Sequence, residues 1–135
     1  MQNMSPGKSA LGLDANVVAG LCYIGNLVCY LGLILSIITI VTDKTNKLAR
    51  FHAFQSVFLS ILGIVLMVLY FCAGIIGGLL DNAIGTPIFT SLLGIVIMVI
   101  GLGLLIAIII AAIKGFQGQL FKLPIVGKFA DQYSG

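Results

Sequence analysis

Charge is what this chain has least of. Only 8% of its 135 residues are Asp, Glu, Lys or Arg, against about 25% in soluble globular proteins. Residues 15–42, 51–80 and 82–113 hold none of these four at all. A soluble protein of this size needs a polar surface that the chain does not have, and no room is left for a separate soluble catalytic domain. Histidine occurs once and cysteine three times, and no Asp or Glu falls inside an apolar stretch. A metal site wants several ligands close together, so neither a metal nor a cofactor is expected. No phosphate-binding loop, nucleophile elbow or His-Glu-x-x-His sequence is present, and the chain is not expected to be an enzyme. Cys22 and Cys29 share a helical face but stand about 10.5 Å apart along the axis, too far for a disulfide.

What the chain does have is apolar length. Each uncharged stretch exceeds the roughly 20 residues that a helix needs to cross about 30 Å of hydrocarbon. The expected fold is an all-α membrane protein with three transmembrane helices and a basic interfacial C-terminal segment. Residues 1–14 read as a flexible tail, 15–113 as the membrane domain with spans near 16–42, 51–80 and 87–113, and 114–135 as the interfacial segment. The first stretch is much longer than the apolar region of a cleaved signal, about 7–15 residues, so it is expected to stay attached. Asp14 suits the N-cap of the first span. Thr86 and Pro87 suit the N-cap and first position of the third, with Asp81 in the loop before them.

Positive charge gathers between and after the spans. Lys44, Lys47 and Arg50 lie in the first loop, and Lys114, Lys122 and Lys128 follow the third span, whereas the N-terminal side offers only Lys8 and the second loop none. With three crossings, the positive-inside rule places the N-terminus outside and the C-terminus in the cytoplasm of a cell (inner) membrane protein. In the tail, Phe116, Leu120, Phe121, Leu123, Ile125, Val126 and Phe129 are interleaved with lysines, and Pro124 interrupts any helix. This pattern fits a segment lying on the cytoplasmic leaflet, with lysines at anionic headgroups. It also fits a tail packed against the helix ends. Nucleic acid is not an expected partner.

Association in lipid depends on close packing and buried polar contacts. Gly103, Ala107, Ala111 and Gly115 form a ridge at four-residue spacing, and Gly74 and Gly78 a second, shorter pair. Each is a candidate helix-packing surface within the chain or in a homo-oligomer, or simply a place where the helix is thin. Polar residues inside spans are costly. His52, Gln55, Ser56, Ser60 and Gly63 gather on one face of the second span, and Ser36 and Thr39 lie at similar depth on the first. These two faces are expected to satisfy each other. Asn26 lies about 15 Å farther from that end and is expected to pair with Tyr23 and Tyr30.

Two short motifs, Arg50-Phe51-His52-Ala53-x-Gln55 and Lys122-Leu123-Pro124-x-x-Gly127-Lys128, resemble those of small prokaryotic membrane proteins of unknown function. Those proteins are similar to the core component of the chloroplast inner-envelope protein-import (Tic) machinery. The resemblance implies His52, Gln55, Pro124 and Gly127 as characteristic positions and brings no catalytic residue or cofactor. The functional expectation is a non-enzymatic membrane component, working by self-association or as an accessory subunit of a larger complex. An oligomeric pore or translocation subunit is the alternative that the resemblance implies.

Overall fold

The computed structural model describes residues 7–135, which form five α-helices and no strand. They are α1 (Ala15–Leu27), α2 (Leu31–Thr42), α3 (Lys47–Ile84), α4 (Ile88–Phe116) and α5 (Val126–Tyr133). Two of them, α3 and α4, are long and apolar enough to cross a membrane. The three-span expectation is therefore corrected. The first uncharged stretch is two helices of 13 and 12 residues, each about 18–20 Å long and short of a bilayer crossing. They are separated by a turn at Val28, Cys29 and Tyr30, where φ reaches +50° at Cys29 and +58° at Tyr30. Gly25 and Gly32 let the two helices fold together, because a Cβ on Gly32 would lie 2.2 Å from the carbonyl oxygen of Cys22. Apolarity along a sequence reports where a segment partitions, and it carries no sign of whether the helix is continuous.

The chain divides into two compact units, Leu62–Ile106 and the remainder. The Leu62–Ile106 unit is a hairpin made from the later part of α3 and the earlier part of α4. Only Gly77 and Asp81 are buried in it. Asp81 is in the last turns of α3 and not in a loop. Its carboxylate accepts the N–H groups of Phe89 (2.7 Å) and Thr90 (3.0 Å) and also the Thr90 hydroxyl. Thus Asp81, and not Thr86, caps α4. A carboxylate at the free N–H groups of a helix N-terminus satisfies both the hydrogen-bond donors and the helix dipole. Gly85, at φ +82°, closes the end of α3 by donating its N–H to the Asp81 carbonyl at 2.8 Å, a left-handed cap that glycine adopts without penalty.

The other unit holds α1, α2, the first turns of α3, the last turns of α4, and α5. Its core joins Ala15, Val18 and Cys22 with Leu48, Ala49, Phe51 and Ala53, Leu120 and Ala130. The buried Asp43 accepts the N–H of Asn46 (3.0 Å) and of Ala10 (3.1 Å). Asn46 in turn caps α3 by accepting the N–H groups of Leu48 and Ala49. Of the tail expected to be flexible, residues 1–6 lie outside the described residues. Residues 7–14 fold back, with a bridge between Lys8 and Asp14. Asp14 occupies the N-cap position of α1 without a side-chain hydrogen bond. Beyond α4 the chain runs non-helically to Pro124 and then forms α5. Leu120, Leu123, Gly127 and Ala130 face inward, while Ile125, Phe129 and Tyr133 are exposed.

Candidate functional site: a polar clamp on α3

The first turns of α3 present four wholly or nearly buried polar side chains, His52, Gln55, Ser56 and Ser60. The spacing i, i+3, i+4, i+8 keeps them on one face, and each polar group there must find a partner or bear the desolvation cost. The His52 ring bridges two elements: Nδ1 lies 2.9 Å from the Tyr23 hydroxyl and Nε2 lies 2.9 Å from the Gln119 carbonyl oxygen. A carbonyl can only accept, so Nε2 carries the hydrogen and the neutral ring accepts the Tyr23 O–H at Nδ1. Phe51 and Tyr23 enclose the ring edge-on.

One turn later, Gln55 treats the post-α4 segment as a strand would. Its Nε2 donates to the Phe121 carbonyl at 3.2 Å and its Oε1 accepts the Leu123 N–H at 3.4 Å. Non-helical backbone has free N–H and C=O groups that need partners when buried, and His52 and Gln55 supply them. Ser56 donates to the Cys22 carbonyl (2.8 Å) and accepts from Asn26 Nδ2 (2.7 Å), and Ser60 donates to the Ser56 carbonyl. The arrangement is a clamp that fixes residues 119–123 and α1 to α3. Among the described residues no group of three or more His, Cys, Asp or Glu side chains gathers where it could hold a metal ion.

The expected pairing of this face with Ser36 and Thr39 is not what forms. Those two hydroxyls are buried but donate within α2, to the carbonyls of Gly32 (2.6 Å) and Leu35 (2.8 Å). Asn26 pairs with Ser56, not with Tyr23 or Tyr30, because α1 ends where a spanning helix would have carried Asn26 deeper. Spacing does not disclose Tyr23 as the partner of His52, Asn26 as that of Ser56, or the backbone of 119–123 as that of His52 and Gln55. The usable signal was the Pro124-bearing segment, whose unpaired backbone calls for polar side chains elsewhere.

The small residues divide in two. Ala111 and Gly115 are buried, and a Cβ on Gly115 would come within 3.0 Å of the Ala19 backbone. Ala107 is half-buried. Gly103, Gly74 and Gly78 face nothing within 4 Å, and Gly77 is the glycine that meets Thr90 inside the hairpin. Among the bases, Arg50 donates to the Asp43 carbonyl (3.1 Å) and lies 5.7 Å from the centre of the Phe54 ring. Lys122 pairs with Asp131 at 2.8 Å, and this hydrogen bond holds the Asp131 carboxyl below its ordinary range. Lys44 and Lys128 are exposed, and Lys47 and Lys114 partly so.

Residues 14–130 match the family described as the Magnetosome magnetite crystal formation protein family. A UPF0132 membrane protein of Methanocaldococcus jannaschii is 33% identical over 95% of this chain and 96% of its own length. A second UPF0132 membrane protein of the same organism is 28% identical over 92% of this chain and 73% of its own length. No solved structure matches the chain. These matches overturn the likeness to the Tic import component. Both motifs that suggested it lie inside the matched segment, and the family found there is a different one.

Proposed function

The chain belongs to the magnetosome magnetite crystal formation protein family, and from that premise we propose that it is a non-enzymatic membrane component that works by association. The observation that carries this reading is the contrast among its glycines. In the unit built around α1 and α2, Gly20, Gly32, Gly115 and Gly127 each press on a neighbour. In the hairpin Gly74, Gly78, Gly94, Gly101 and Gly103 meet nothing. Small residues on a lipid-facing helix are the positions where another backbone can approach closely. Their occupant is a second copy or a helix of a larger complex. The family description speaks of magnetite crystal formation; what is carried over to this chain is the membrane setting. A pore finds no support in a hairpin whose only charged side chain is Asp81.

The reading also revises sidedness. With α3 and α4 as the spans, the chain before α3 and the chain after α4 share one side, and the termini no longer lie in opposite compartments. All seven bases, Lys8, Lys44, Lys47, Arg50, Lys114, Lys122 and Lys128, fall on that side, which the positive-inside rule makes cytoplasmic and which faces anionic headgroups.

Two experiments test the proposal. Gly74→Leu with Gly78→Leu, and separately Gly103→Leu, are expected to abolish chemical cross-linking between copies, or co-purification with a partner, while helical content stays unchanged. Unaltered association in both variants would refute it. For sidedness, single cysteines replace Ala10, Asn82 and Gln132 in a background without Cys22, Cys29 and Cys72. An impermeant thiol reagent is expected to label positions 10 and 132 from one side and 82 from the other. Labelling of 10 together with 82 would restore an odd number of crossings.

A further inference from the structure

The segment that follows α4 carries a second feature, separate from the clamp. Lys122, Ile125, Lys128, Phe129, Asp131 and Gln132 line a groove of about 500 Å³. Its polar wall is cationic on balance, because Asp131 engages Lys122 and Lys128 has no acidic partner among the described residues. Lys47 lies near enough to act on Asp131 as well. Its apolar wall is open: Ile125 is 73% and Phe129 48% exposed. Ile125 sits at φ +69° and ψ −65°, the centre of a γ-turn closed by the Val126 N–H donating to the Pro124 carbonyl at 2.9 Å.

The groove is held in shape. A Cβ on Gly127 would lie 2.7 Å from the Lys122 Cα, so the two backbones touch. Phe129 packs on Phe58 at 6.0 Å, and Tyr133 on Phe54 and Phe58 at 6.2 and 6.3 Å between ring centres, which fixes α5 to α3. Lysines beside exposed isoleucine and phenylalanine suit a ligand with an anionic head and a hydrocarbon continuation. An inorganic anion would leave Ile125 and Phe129 in water.

We propose that this groove binds the phosphodiester headgroup of an anionic membrane lipid, with Lys128 and Lys122 at the phosphate and Ile125 and Phe129 along the first acyl carbons. The proposal rests on the membrane setting argued above and adds a defined site and ligand class to it.

The test uses the full chain in nanodiscs of phosphatidylcholine with a minority of phosphatidylglycerol. The relative association of spin-labelled versions of the two lipids is read by electron paramagnetic resonance. The wild type is expected to prefer phosphatidylglycerol, and Lys128→Gln to lower that preference about fivefold, the factor expected for one surface lysine. Asp131→Asn, which removes the competing acid, is expected to raise it. Lys44→Gln, a base outside the groove, is expected to leave it unchanged, with helical content by circular dichroism constant throughout. Equal loss in Lys44→Gln and Lys128→Gln would reduce the effect to general charge and overturn the site. Displacement of the labelled lipid by inorganic phosphate would overturn the lipid as occupant. Failure of the membrane setting looks different, since neither labelled lipid would then be restricted by the protein.

Discussion

The two units of this molecule solve opposite problems with the same alphabet. The Leu62–Ile106 hairpin buries only Gly77 and Asp81 and leaves most of its Ile, Leu, Val and Phe side chains exposed. Lipid tails are as apolar as these side chains, so hiding them from lipid gains little. One carboxylate cap and one glycine contact are what tie the hairpin's ends. The unit around α1 and α2 hides polar groups instead: Tyr23, Ser36, Thr39, Asp43, His52, Gln55 and Ser56 are all 2% exposed or less. There, order depends on the hydrogen bonds that His52, Gln55 and Ser56 make to α1 and to residues 119–123. The comparison teaches that in a chain this apolar the few polar side chains, and not the many hydrophobic ones, decide which segments are held together.

The comparison is broken most severely by removing the clamp. His52→Ala leaves the Tyr23 hydroxyl and the Gln119 carbonyl without partners. An unsatisfied buried group costs about 1–3 kcal/mol, so a loss of about 2–6 kcal/mol is expected for the two. Thermal unfolding of the purified protein in detergent measures it, and limited proteolysis should find residues 117–125 newly exposed. Gln55→Leu should release the same segment with a smaller loss. If His52→Ala melts with the wild type, the clamp does not hold this unit together.

Next comes Gly32→Ala. Its Cβ would meet the Cys22 carbonyl, which is backbone and cannot move aside as a side chain can. Overpacking of this kind costs about 1–3 kcal/mol, seen as a lower midpoint and as a longer distance between spin labels on α1 and α2. In the hairpin the matching change is Asp81→Ala, which removes the cap of α4 for about 0.5–2 kcal/mol. Amide exchange at Phe89 and Thr90 should rise while the amide of Leu123 stays protected. Changes that spread to both units in either variant would show that they do not hold independently.

How much of this was legible before the structure depends on which force was being read. The apolar stretches disclosed the helices and the membrane setting, because partitioning is a local property. They disclosed α3 and α4 nearly to their ends, yet failed at Val28–Tyr30. There the break is made by the fit of Gly25 to Gly32, a contact between segments. The polar face of His52, Gln55, Ser56 and Ser60 was visible from spacing alone, whereas its partners were not. A donor in sequence does not say which acceptor it will reach, and depth arguments made for one continuous first helix misplaced Asn26. Asp81 failed for a related reason. Pro87 and Thr86 look like a local helix start, and the cap that forms comes from across the turn.

The smallest expected effect lies at the end of the chain, and it sharpens the comparison because it is electrostatic in a region otherwise held by packing. Lys122 lowers the Asp131 carboxyl from its ordinary 3.8. A group whose native value is depressed stabilises the fold above its unfolded value and loses that contribution as pH falls through the native one. The Lys122–Asp131 pair should therefore be intact at neutral pH and down to about pH 4, then weaken with further acid. The pair is exposed, so salt screens it and its contribution is slight. Acid should loosen α5, reported by the Tyr133 ring signal in nuclear magnetic resonance. Asp131→Asn should remove the pH dependence of that signal. If the signal still titrates in this variant, the group responsible lies elsewhere, and α5 is anchored by Phe58 and Tyr133 without help from charge.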